Sequence, residues 1–136
     1  MRQPHDTRFK AFRTFNQPEW SERASSRKRL YPETAASLFP RDALPDKLVR
    51  ALCDTHSISL KELLESFEFF ERVRRRMRAS HIVDLCCGHG LTGWLFAVFE
   101  PCVESVLLVD RVQSEGSKRV LEAVRQVAPW AIPKVT

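Results

Sequence analysis

The residues with the most chemical content are Asp84, Cys86, Cys87, Gly88, His89, Gly90, Gly93 and Asp110. Closely spaced glycines let a backbone turn tightly and approach a bound phosphate or sugar, and a carboxylate can accept from two neighbouring hydroxyls at once. Gly88, Gly90 and Gly93 match the G-x-G-x-x-G spacing of a dinucleotide site, with Asp110 in place of the acid that takes ribose hydroxyls. Asp84 does not fit that pattern. It is a carboxylate four positions before the first glycine, at an inward position that a dinucleotide-binding strand normally fills with an apolar residue.

These residues need a strand before the glycines, a helix after them and a second strand ending in the acid. His81-Ile82-Val83-Asp84-Leu85-Cys86 is a short apolar run that predicts a buried parallel strand. Leu91 to Phe99 predicts a helix that is apolar almost all round and must be covered on several sides, and Pro101 ends it. Val106 to Val109 predicts the second strand, Ser117 to Val127 a further helix, and residues 129–136 the approach to a third strand.

The stretch Asp84-Leu85-Cys86-Cys87-Gly88-His89-Gly90 resembles motif I of the class I S-adenosylmethionine-dependent methyltransferases, an acid-x-(Gly, Cys or Ala)-x-Gly-x-Gly pattern. Asp84, Cys86, Gly88 and Gly90 carry the match, Asp110 matches the acid ending the second strand, and the likeness spans about residues 80–128. The resemblance implies S-adenosylmethionine as cofactor. Asp84 would orient its methionine end, Gly88 and Gly90 would let the backbone pass close, and Asp110 would hold the ribose. Cys86, His89 and Arg111 are the further candidate cofactor-binding residues. Members of that family continue through a seven-stranded sheet, so the chain is expected to be the N-terminal part of a longer methyltransferase. No catalytic residue is nominated, because positioning alone can supply much of the rate of methyl transfer. Two other readings use the same residues: an NAD-type oxidoreductase fragment, and a module without chemistry whose decayed or truncated site serves as an interaction or RNA-binding surface.

Upstream, Leu44 to His56 has helical spacing, with Pro45 in the first turn. Ser59-Leu60-Lys61-Glu62 reads as a capping box, and Leu60, Leu63, Leu64, Phe67 and Phe70 form one apolar face of the helix it opens. Arg72, Arg74, Arg75, Arg76 and Arg78 crowd the far end of that helix, where cations are favoured. Residues 1–40 mix prolines, arginines and aromatics without sustained period and read as a basic, largely irregular arm. Phe9, Phe12 and Phe15 recur every three residues there. They would either dock the arm onto the main domain or, with Arg8, Lys10, Arg13, Arg27, Lys28 and Arg29, contact RNA as a methyl acceptor.

The expected architecture is therefore α/β: an arm (1–40), a helical cap (41–79) and the first βαβα part of a Rossmann-like methyltransferase fold (80–136), apparently truncated. Two strands alone are marginal, so further strands beyond residue 136, an oligomer or the cap must cover the sheet.

The 136 residues are 43% hydrophobic with a net charge of +5, the composition of one soluble domain. Eight cations and three acids in the first 30 residues carry the whole excess. No run approaches the roughly 18 apolar residues of a membrane span, and the N-terminus lacks a signal-peptide core. Together with four cysteines in no disulfide framework, this predicts a cytoplasmic protein without membrane contact. Cys86, Cys87, His89 and Cys102 are suitable zinc ligand types. Adjacent strand residues point to opposite faces, however, and Cys102 lies across a helix. The cysteines are read as small buried residues, with no metal, and Glu100, Glu104 and Glu115 as solvated charges. His5, His56 and His81 are read as structural or surface residues.

Overall fold

Residues 9–55 and 58–136 are described by a computed structural model. They form a mixed α/β arrangement, mostly helical, with a two-stranded parallel sheet. Prolines open three of the helices, where their missing N–H goes unused: α1 (Pro18–Ser21), α2 (Pro32–Leu38), and α3 (Leu44–Asp54) with Pro45 in its first turn. Asp46 in the first turn of α3 is buried and accepts the Arg41 N–H at 2.9 Å. Arg50 donates to Phe39 O and, at 3.0 Å, to Arg41 O. The α2–α3 connection is thereby fixed at both ends. The buried Cys53 thiol donates to Leu30 O at 2.8 Å, and burial pushes its pKa up to about 11.

Helix α4 (Leu60–Val73) starts at the predicted capping box: the Ser59 hydroxyl accepts the Glu62 N–H, and the Glu62 carboxylate accepts the Ser59 N–H. Its C-terminal end did not turn out as a simple solvated cluster. Arg74 reaches back to Glu71 and across to Glu100 at 2.5 Å, and its guanidinium lies 4.8 Å from the Phe70 ring centroid. Glu100, expected in solvent, is buried by this contact.

Strand β1 (His81–Leu85) and strand β2 (Ser105–Val109) pair in parallel with Ile82 opposite Val106, and α5 (Leu91–Phe99) connects them. The parallel pairing was expected, but the burial expected of these strands holds on one face only. Ile82, Asp84, Val106 and Leu108 face α5, whereas Val83 and Leu85 are 56% and 70% exposed, and Leu107 and Val109 are also open. Gly93 lets α5 lie close on the sheet: a Cβ there would sit 2.4 Å from Leu108 Cδ2 and 3.2 Å from Asp84 Oδ2. Gly93→Ala is expected to destabilise the fold by about 1–3 kcal/mol through overpacking, read as a lower Tm in thermal denaturation.

Helix α6 (Glu115–Val127) buries Val120, Ala123 and Val124 and packs on α3. A 3-10 turn follows, after which Val135 pairs in parallel with Val106. Thr136 donates to Val106 O at 3.0 Å and accepts from Leu108 N–H at 2.9 Å. Val135 and Thr136 thus form an isolated parallel bridge on the far edge of β2.

The N-terminal segment is more ordered than an arm. Phe12 and Phe15 are buried, and Phe12 meets Phe39 and Phe67 with ring centroids 4.8 and 4.9 Å away. The segment is also tied to α4 through Lys10 N–H to Glu68 and Leu60 N–H to Lys28 O. Docking is therefore the role of Phe12 and Phe15, and neither can stack on a base. Lys10, Arg13, Arg27, Lys28 and Arg29 are exposed; Arg8, His5 and His56 lie outside the described residues. No helix among the described residues is long and apolar enough to cross a membrane.

Candidate functional site

The chain leaves β1 through a turn built from left-handed residues. Cys86 has φ 56°, Gly88 φ 57° and Gly90 φ 79°. For the cysteine this conformation costs about 1–2 kcal/mol, while the glycines adopt it freely. Two backbone bonds brace the turn: Cys87 N–H to Val109 O at 3.1 Å and Gly90 N–H to Cys87 O at 2.8 Å. A side chain at Gly90 would meet Leu108 at 3.0 Å, but one at Gly88 would meet nothing within 4 Å. Gly88 thus presents bare backbone to open space.

Asp110, just past β2, clasps this turn. Its Oδ2 accepts the Gly88 N–H at 2.7 Å and its Oδ1 accepts the Arg111 N–H at 2.6 Å. These two bonds hold its carboxyl below the usual carboxylate range, Gly88 contributing most. The sign follows: with the folded pKa depressed, the clasp contributes fully above the unfolded pKa and is lost as pH falls through the folded one. Asp110→Ala is expected to speed hydrogen exchange of the Gly88 amide at least about tenfold at neutral pH, while amides of α4 keep their protection.

Asp84 and His89 cap the next helix. The half-buried Asp84 carboxylate accepts the Gly93 N–H in the first turn of α5 at 3.2 Å. Burial raises its pKa, opposed by that hydrogen bond and by His89. Nδ1 of His89 accepts the Leu91 N–H at 3.1 Å, which places the ring proton of the neutral form on Nε2. Burial lowers the pKa of this histidine. His89 is a half-buried helix cap, where a solvent-exposed turn residue was the alternative to a ligand contact.

The cysteines depart from their reading. Cys86 and Cys102 are exposed and Cys87 is half-buried, leaving Cys53 as the buried one. The Cys87 thiol is raised first by burial and then by Asp84 and Asp110, so it is a poor nucleophile. Among the described residues no group of three or more His, Cys, Asp or Glu side chains gathers for a metal ion.

A cavity of about 400 Å³ adjoins Gly88 and Asp110, walled by Trp94, Leu108, Ser117, Leu121 and Arg125 among others. The structure therefore brings Gly88 and Asp110 to one cavity, leaves Cys86 and Arg111 exposed beside it, and places Asp84 on the other side of the turn, in a smaller hollow along β1. Sequence reasoning missed the wall from α6. Ser117, Leu121 and Arg125 are spaced by four and share one face of that helix.

Comparison with family models, curated proteins and solved structures returns no match for this chain.

Proposed function

We propose that the glycine turn binds S-adenosylmethionine, and that the chain is the cofactor-binding part of a class I type methyltransferase with the opening strands of a Rossmann-like sheet. The observation that carries this reading is the Asp84 carboxylate on the first turn of α5. A dinucleotide places its pyrophosphate at such a helix N-terminus. Here a carboxylate already takes a first-turn N–H, and two like charges about 4 Å apart repel by about 4 kcal/mol at an effective dielectric near 20. A ligand bearing a sulfonium and an ammonium is instead attracted, and its charge would relieve the burial that disfavours the ionised carboxyl.

Gly88 and Asp110 share the larger cavity and suit the ribose, while Asp84 lines the smaller hollow across the turn. Gly88 opens on free space, and the exposed Asp110 carboxylate has acceptor capacity beyond its backbone partners for a ribose hydroxyl. Cys86 and Arg111 are exposed next to Cys87 and Asp110 in the chain, and His89 caps α5. The order in space of β1, β2 and the residues at 135–136 also agrees with one half of a nucleotide-binding sheet. When bound, the cofactor supplies a methyl group activated by its sulfonium. The chain's own part is to hold and orient it, and no acid or base is needed for that. For the acceptor, RNA is the first class to test. Lys10, Arg13, Arg27, Lys28 and Arg29 are exposed to phosphates, but with Phe12 and Phe15 buried the contact would be electrostatic and lost at high salt.

Calorimetric titration with S-adenosylmethionine, S-adenosylhomocysteine and NAD tests the reading. Binding of the first two and not the third is expected; binding of NAD alone would overturn it.

A further inference from the structure

Residues 26–31 are strung across the first turn of α4. Lys61 N–H donates to Ser26 O at 3.0 Å and Leu60 N–H to Lys28 O at 3.3 Å, while Arg29 bridges Ser59 in antiparallel fashion. With the Glu62 N–H held by the Ser59 hydroxyl, N–H groups that a helix start leaves without intrahelical partners are taken, and the backbone of the segment is fixed. Leu30 turns inward and is buried, whereas Arg29 and Tyr31, two residues apart on extended backbone, share the outer face at a spacing of roughly 6–7 Å. Tyr31 is 67% exposed. Arg27, Lys28 and Arg29 are exposed as well and make no ion pair with any described residue, and no acid lies between Glu22 and Glu33. The dipole of α4 does not account for these cations: it favours positive charge at the far end of the helix and opposes it at this one.

This basic lip lies at the same end of the molecule as the glycine turn. Phe70 packs on Phe96 with ring centroids 5.0 Å apart, and Arg74, one turn further along α4, pairs with Glu100, one turn further than Phe96. Helices α4 and α5 therefore run in the same direction, and the start of α4 lies beside the start of α5. There Glu62 is near enough to His89 for its charge to oppose the burial that lowers the pKa of the histidine.

We propose that the lip from Arg27 to Tyr31 takes a single strand of nucleic acid, with phosphates on Arg27, Lys28 and Arg29 and a base stacked on Tyr31, and so leads a nucleotide toward the glycine turn. Phosphate contacts alone accept any polyanion. The aromatic ring beside them selects a base whose face is open, which a duplex does not offer. Phe12 and Phe15 are buried, so stacking falls to Tyr31. An acidic peptide would pair with the cations and leave the ring unused. The role of the strand as methyl acceptor rests on the cofactor reading above; its contact with the lip does not.

The test is fluorescence anisotropy of the full chain with short labelled oligomers of uridine and of deoxythymidine. Saturable binding of either supports the proposal, and the tighter of the two identifies the sugar. Tyr31→Ala should weaken binding about tenfold, and Tyr31→Phe should bind like the native protein. Changing Arg27, Lys28 and Arg29 together to Gln should lower the slope of log affinity against log salt by about 2. Irradiating the native protein with a strand carrying 4-thiouridine should crosslink the peptide that holds Tyr31, a readout that needs no variant to fold. A duplex bound as tightly as the single strands would overturn the proposal, as would equal competition by polyglutamate, unchanged affinity in a folded Tyr31→Ala protein, or crosslinks confined to other peptides. Titration of S-adenosylmethionine into the Tyr31→Ala protein keeps the two proposals apart, since its affinity should equal that of the native chain. Strand binding by a chain that takes no S-adenosylmethionine would overturn the cofactor reading and leave the lip as a nucleic-acid site; cofactor binding without strand binding would do the reverse.

Discussion

Asp84→Asn is expected to weaken S-adenosylmethionine binding about a hundredfold, the scale of removing one partner from a buried charge pair, while the Tm stays level or rises. Asparagine keeps a carbonyl oxygen for the Gly93 N–H, so the first turn of α5 stays capped. What it removes is a charge that burial disfavours. The Asp84 pKa is raised in the folded state, so the folded protein holds this proton more tightly than the unfolded chain does. The contribution of Asp84 to stability is then greatest below the unfolded carboxylate range and declines as pH rises through the interval up to the folded value. The substitution should flatten that decline in a pH series of thermal melts. Loss of both affinity and stability would make Asp84 a structural cap and remove the main support for a cationic ligand.

Arg74→Met should be the most destabilising exchange outside the apolar core. Glu100 has a side chain 6% exposed, and Arg74 neutralises it while also donating to Glu71 and, at 3.3 Å, to Phe99 O. Removing one partner of a buried pair costs about 3–5 kcal/mol, and for a chain of this size that lowers Tm by roughly 10–15 °C. Adding Glu100→Gln to the Arg74→Met background should restore part of the loss, because a buried amide is easier to accommodate than an unpaired carboxylate. Urea denaturation of the two variants would measure this, and a double variant no more stable than the single one would point to lost packing on Phe70 instead.

The elements nearest the site were legible because each carries a local signal: the capping box of α4, the short apolar runs of the strands, and the apolar run of α5 bounded by glycine and proline. The docking of Phe12 and Phe15 was less so. Part of that segment is 3-10 helix, in which residues three apart eclipse, and so short a piece has no period to detect. Glu100 was misread because its partner is 26 residues away and looked like an ordinary helix-end cation. The open sheet face was invisible for a different reason. Val83, Leu85, Leu107 and Val109 have the composition of a doubly covered strand, and composition does not reveal which face receives a cover. At the site itself, Gly88 and Asp110 could be paired from sequence, but the α6 wall depends on how that helix rotates against α3.

The packing of α3 on α6 also sets a schedule for the growing chain. Sixty residues separate the two helices, so at about 5–20 residues per second the apolar face of α3 waits some 3–12 s before synthesis of its partner begins. Closing so long a loop carries an entropic toll before any contact repays it. Folding should therefore be late and concerted rather than stepwise from the N-terminus, with nascent chains that end before residue 115 sensitive to protease along α3.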